Sequence, residues 1–383
     1  MPAAFGEPRI QARAWCLLWS WAMAWSLVHA WHAGGSWHWF TQGSQVLFDD
    51  DPGTNLHLYA RHPELQIGPL AFVVAAPMLL FQAGTARVVA IALMSTSGLV
   101  LLAGLWALVP PRRRSEARLL WAGATLLPVW AELATRAGHL DDVLALAFAV
   151  AAMRALVRGH PLLTGVFLAA AVDSKPWALA FAPMLLALPW RQWWKAAVVL
   201  VTGVLAAWLP FLLADPNTMA AARFTIRTSA FSGLRAMGFT DPATPPWDRP
   251  VQLLLGGVLG TLAVFRGRWP AVILLATGAR ILLDPKTYGY YTSGVLLGAL
   301  AYDLMCGRSQ WPRLTCLGLI MLYLPQVFPP AGNPFPPQLA GMLRVMYVAI
   351  AAGVVLLSPR RPDAERDKAT DTTPTPRVPA PAS

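Results

Sequence analysis

The chain is a series of apolar blocks divided by short basic clusters, a pattern that leaves few folds open. The blocks run over residues 15–31, 68–83, 88–110, 119–135, 141–157, 162–175, 176–189, 197–213, 250–266, 270–284, 289–305, 313–329 and 338–357. An α-helix rises about 1.5 Å per residue, so about 20 such residues cross a hydrocarbon core of about 30 Å. Of the 383 residues only 13% are charged and 56% are hydrophobic, whereas soluble domains are about a quarter charged. The expected architecture is all-α, a polytopic transmembrane helical protein.

The basic clusters set the expected orientation. The net charge of +11 comes from Arg and Lys placed between blocks, where they fix topology, and no nucleic-acid partner is expected. Arg112–Arg114 with Arg118, Arg154 with Arg158, Arg191 with Lys195, Arg266 with Arg268, Arg308 with Arg313, and Arg360 with Arg361 are predicted to be cytoplasmic. Arg9 and Arg13 place the N-terminus there too. Parity then predicts about 12 membrane crossings, with 68–110 making one net crossing broken near Gln82–Arg87. Residues 1–14 form a cytoplasmic N-terminus, 15–357 the transmembrane domain, and 358–383 a disordered cytoplasmic tail rich in Pro, Thr and Ala. The outer side carries loop 32–67, the turn Arg136–Asp142, loop 214–249 and the turn Asp284–Tyr291. Eighteen Trp, many at block edges such as Trp31, Trp190 and Trp194, suit the headgroup level and make membrane lipids expected partners. Cys16, Cys306 and Cys316 form no metal or disulfide spacing.

Polar residues in such a chain carry the chemistry. Loop 32–67 holds Asp49, Asp50, Asp51 and Glu64 with His32, His38, His57 and His62. Crowded carboxylates repel one another, so one of them is a candidate general base, or a divalent cation sits among Asp49–Asp51. The plainer alternative is a solvated turn ahead of Pro52 and Gly53. His139, Asp141 and Asp142 stand where the chain re-enters an apolar block, either capping a helix or facing a polar cavity. Asp173 and Lys175 interrupt an apolar stretch of 28 residues, and Pro176 breaks the helix beside them. They either pair at the bend or free Lys175 for a phosphate. Arg223 and Arg227, spaced i,i+4, share a face if their segment is helical. Arg280, Lys286, Tyr290 and Tyr291 form a further polar patch.

Several pieces of this sequence resemble the membrane-embedded GT-C glycosyltransferases, in particular the polyprenol-phosphate-mannose-dependent mannosyltransferases. They are Leu58-Tyr59, His62-Pro63 and Gln66-Ile67-Gly68-Pro69-Leu70 at the end of the first loop, then Gly138-His139-Leu140-Asp141. Gly165, Lys175-Pro176-Trp177, Pro183 and Arg191 follow. The resemblance covers about residues 15–305 and implies a GT-C-like fold. It also implies transfer of a mannose-like hexose or a pentose from a polyprenyl-phosphate donor to a cell-envelope glycan or glycolipid acceptor. The reaction would run at the outer face of a bacterial plasma membrane, with both termini cytoplasmic and no metal or other cofactor. A base in the first loop is implied as well. The family's aspartate usually comes earlier, where this chain reads Ser36-Trp37-His38-Trp39-Phe40, so the candidates are Asp49, Asp50, Asp51, His38 and Glu64. Lys175, Arg223, Arg227, Arg280 and Lys286 would meet the donor phosphate. His62, His139, Asp141, Asp142, Tyr290 and Tyr291 would line the acceptor cavity. The alternatives are a transporter or lipid flippase gated by Asp173–Lys175, or a non-catalytic GT-C-like scaffold.

Overall fold

A computed structural model of the protein describes residues 8–49, 55–327 and 335–359. Its regular elements are helices, joined among the described residues by one isolated antiparallel bridge between Arg227 and Ala243. The longer ones are α1 (Pro8–His29), α2 (Trp37–Leu47), α3 (Ala83–Leu108), α4 (Glu116–Ala131), α5 (Leu140–Val157) and α6 (Pro161–Ser174). They continue with α7 (Trp190–Ala214), α8 (Asp248–Phe265), α9 (Val272–Leu283), α10 (Tyr291–Cys306) and α11 (Pro337–Leu357). Chain neighbours pack side by side, α5 on α6, α6 on α7, α8 on α9 and α9 on α10, while α1 lies along α4. The core they share is apolar and aromatic, with Trp130, Tyr59, Phe40, Phe72 and Phe181 fully buried.

The expectation of about twelve membrane crossings is corrected. Three helices are long and apolar enough to cross a membrane, Ala83–Leu108, Trp190–Ala214 and Pro337–Leu357, and they make this chain a candidate membrane protein by length and composition. The remaining blocks fold into pieces that are short or carry charge. Residues 68–83 become a seven-residue helix, Pro69–Ala75, and a 3-10 turn, Ala76–Leu80. The break in 68–110 falls at Phe81–Gln82, ahead of α3. The 28-residue apolar stretch divides into the 14 residues of α6 and a 12-residue 3-10 helix, Pro176–Ala187. Proline explains the division: Pro176 disfavours the helical conformation at the residue before it, and Lys175 is extended at φ −149°, ψ 111°. The block at 313–329 forms a helix over Arg313–Val327, wound as a π turn at Leu319–Tyr323. Others, such as α5 with Asp141, Asp142 and Arg154, carry charge.

Two ends of the assembly have different chemistry. At one, Arg118 donates to Asp303 O at 2.7 Å and Leu304 O at 3.0 Å, and Arg268 donates to Val355 O at 2.7 Å. At the other, four segments meet. Gly34 N–H donates to Thr135 O at 2.8 Å, and His57 Nδ1 lies 2.9 Å from Asp215 Oδ2. Arg249 reaches Gln66 Oε1 at 2.7 Å, and Ser229 N–H donates to Pro285 O at 2.7 Å. The expected tail, residues 358–383, lies mostly outside the described residues, as do residues 1–7.

Candidate functional site

The turn after α4 builds one wall of the site. Pro128 inside α4 has no N–H to give, and the orphaned Ala124 carbonyl accepts instead from Trp21 Nε1 at 3.4 Å. The helix then widens into a π turn over Glu132–Ala137, a distortion common at functional sites. Gly138 ends it at φ +62°, in the left-handed region that glycine enters without steric cost. His139 follows, and α5 begins with Asp141 and Asp142 in its first turn, where the helix dipole favours carboxylates.

Those three residues meet two cations from distant segments. His139 Nδ1 lies 2.7 Å from Asp141 Oδ1 and 3.3 Å from Asp142 Oδ2. The extended backbone at Lys175 carries its ammonium onto Asp141 Oδ2, and it also stands 3.4 Å from Asp142 Oδ2. The first loop is pinned beside it. Gly68 N–H donates to Ser174 O at 3.0 Å, and a Cβ at Gly68 would lie 2.0 Å from Asp173 O, so only glycine passes there. From α9, Arg280 Nη1 donates to Asp142 Oδ1 at 2.9 Å, and its Nε is 3.7 Å from Asp284 Oδ2. Its guanidinium stacks between Trp177, at 4.5 Å, and Tyr291, at 4.0 Å. The result is a buried lattice of Asp141, Asp142 and Asp284 against Lys175, Arg280 and His139. Burial pushes the His139 imidazole down, but the adjoining Asp141 and Asp142 outweigh it and raise it above the ordinary histidine value. Burial likewise holds the Asp284 carboxyl above the ordinary carboxylate value, against the pull of Arg280.

One face of His139 and Tyr290, whose rings stack at 4.1 Å, belongs to that lattice, and both residues also line a cavity of 840 Å³. Its other walls are His32, Ser36 and Trp39 from the first loop, Glu132 and Arg136 from the π turn, and Tyr288 and Gly289 from the 284–290 turn. The second π turn adds Tyr323, followed by Gln326, and α11 contributes Arg344. Both π turns of the described residues therefore face the same space. Arg344 is 4% exposed and makes no ion pair within 4 Å among the described residues; Asp284 is its electrostatic neighbour.

The expected site residues divide into two groups. His139, Asp141, Asp142, Lys175, Arg280, Tyr290 and Tyr291 are brought together. Lys175 and Arg280, expected on a donor phosphate, are engaged by carboxylates, and Lys175 pairs with Asp141 and Asp142 instead of Asp173. Lys286 is half-buried in the 284–290 turn, where its N–H caps Asp284. The rest stand elsewhere. His62 and Glu64 pair with each other at 3.2 Å, and His38 is exposed with its ring against Trp39. Asp49 is exposed after α2, while Asp50 and Asp51 lie outside the described residues, as does most of any cation site there. Arg223 closes a four-residue helix, but the chain is not helical from Phe224 to Ile226, so Arg223 and Arg227 share no helical face. Both are exposed.

Sequence reasoning passed over Glu132, Arg136, Arg249 and Arg344. Arg344 is the one charged residue in block 338–357, and Glu132 stands within block 119–135. The rule that singled out Asp173 and Lys175, that ionisable residues in apolar segments mark function, applies equally to them.

His139, Asp141 and Asp142 also hold ligand atoms within 4.8 Å of one another, a donor set of metal-binding type. Lys175 takes Asp141 Oδ2 and Arg280 takes Asp142 Oδ1, while Asp142 Oδ2 is buried without a hydrogen-bond partner. Compared with family models, curated proteins and solved structures, the chain matches none.

Proposed function

We propose that this protein is a membrane glycosyltransferase that moves a sugar from a polyprenyl-phosphate donor to a glycan or glycolipid acceptor. The observation that carries the proposal is the 840 Å³ cavity beside the charge lattice. That volume lies in the range of small-ligand sites, about 300–1,000 Å³. Its aromatic walls, Trp39, Tyr288, Tyr290 and Tyr323, suit the apolar faces of sugar rings. Arg344 is a buried cation with no carboxylate within 4 Å among the described residues, which suits a departing lipid phosphate, and Arg136 adds a second positive group. Lys175 and Arg280 are assigned a different task from phosphate binding. They hold His139 and the Asp pair rigid, so that the wall keeps its shape as charge develops in the cavity. The protein belongs on this reading to a bacterial plasma membrane, with the cavity end facing out.

The test is the purified chain in lipid nanodiscs with a panel of polyprenyl-phosphate sugars. Transfer or hydrolysis of one donor is expected, and Arg344→Gln should slow it about 100-fold, the usual weight of a donor that stabilises developing charge. If no sugar in the panel is cleaved, the transferase is wrong. Passage of intact donor across sealed vesicles without cleavage would mark a flippase instead.

A further inference from the structure

We infer that Glu132 removes the acceptor proton and that His29 behind it is the next proton carrier, an inference that rests on the transferase proposed above. Glu132 is the carboxylate among the described residues of the cavity wall and is 6% exposed. Arg136 Nη1 holds both its oxygens, at 3.0 and 3.2 Å, and so fixes the group from one side. On another side the wall is notched. A Cβ at Gly289 would stand 2.8 Å from Glu132 Oε1 and 3.1 Å from Gln326 Oε1, so the absent methyl leaves both oxygens open to an approaching hydroxyl.

His29, at the end of α1, completes the arrangement. Its Nε2 is buried without a hydrogen-bond partner and lies 3.7 Å from Glu132 Oε2. A shift of a few tenths of an ångström would make that contact a hydrogen bond. Burial pushes the His29 imidazole below its ordinary value, while Glu132 draws it up and Arg136 down. His139 is the rival base on the cavity wall. Its Nδ1 stands 2.7 Å from Asp141 and 3.3 Å from Asp142 and its ring is stacked on Tyr290, so it is committed to the lattice. The step balances as follows. The acceptor O–H breaks and its proton passes to Glu132, while the acceptor oxygen bonds to the anomeric carbon. The bond from that carbon to the phosphate oxygen breaks, and its electron pair leaves on the phosphate. The proton then moves from Glu132 to His29 and is lost to water before the next turnover.

The experiment compares wild type, Glu132→Gln, His29→Gln and Gly289→Ala in nanodiscs, measuring donor affinity and turnover separately. Glu132→Gln should bind donor within about twofold of wild type and turn over at least about 100-fold slower, the weight of a general base. Azide, a nucleophile with no proton to lose, should restore donor cleavage to Glu132→Gln but not to Arg344→Gln. His29→Gln should slow turnover with donor affinity unchanged. Gly289→Ala, which leaves every charge in place, should lose turnover by crowding Glu132, and it decides the matter if Glu132→Gln does not fold. An active wild type whose Glu132→Gln or Gly289→Ala form keeps more than half its turnover, or is not rescued by azide in the Gln form, overturns this inference alone. A wild type that cleaves no donor overturns both this inference and the transferase.

Discussion

At the scale of single residues, the informative comparison is between Lys175 and Arg344. Lys175 announces itself because a charge in an apolar stretch needs a partner, and Pro176 beside it makes a bend predictable. What the sequence does not contain is the direction of that bend, which carries the ammonium to Asp141 on α5 instead of to Asp173 two residues away. Lys175→Met should therefore destabilise the protein by about 3–5 kcal/mol, because it leaves buried carboxylates short of a cation. Denaturant melts in detergent micelles would measure it, and a change below about 1 kcal/mol would mean that Arg280 suffices. His139 supplies a pH test with a definite sign. Its value is raised in the folded protein, so its contribution is full below the unfolded histidine value and is lost as pH rises through the raised one. Melting temperature should fall across that window in wild type and stay flatter in His139→Gln.

Helices, turns and loops differ in how far hydropathy can describe them. A hydropathy block says that a segment is apolar, and α3, α7 and α11 show that this is sufficient when the block is long and free of breakers. It says nothing of winding. Pro176–Ala187 coils as a 3-10 helix and Glu132–Ala137 as a π turn, and neither alters the hydropathy of its block. The loops were equally opaque. Part of loop 32–67 is helix α2, whereas the Arg223–Arg227 segment, with helical charge spacing, runs on without helix and bridges to Ala243. Long-range ties fix these loops. The His57 hydrogen bond, aided by the Asn217 N–H, holds the Asp215 carboxyl below its ordinary value. The tie is thus present above the unfolded carboxylate value and is lost as pH falls through the folded one. Limited proteolysis of loop 55–67 should accelerate as pH drops through that window. Asp215→Asn should be cut faster at neutral pH and lose the pH dependence.

For the molecule as a whole, composition alone made helices and a membrane the natural expectation, and three helices of crossing length bear on it directly. The chain should stay with the membrane fraction through alkaline carbonate washing; release into the supernatant would remove the basis for a membrane enzyme. The number of crossings was beyond the sequence because it was counted from block ends and charge parity, which cannot register how many blocks fold into short or charged pieces. The gathering of His139, Asp141, Asp142, Lys175 and Arg280 was legible only in part. Each was visible as an anomaly in its own segment, but their mutual distances depend on how α5, α6 and α9 pack. The lattice also has a consequence for how the protein is made. Its members enter the chain in the order 139, 141, 142, 175, 280, 284, so a ribosome has released Asp141 and Asp142 long before the arginine that holds Asp142 exists. A nascent chain halted before residue 280 holds Asp142 without the guanidinium that donates to its Oδ1, which gives cellular quality control a chemical mark by which to tell an unfinished copy from a finished one.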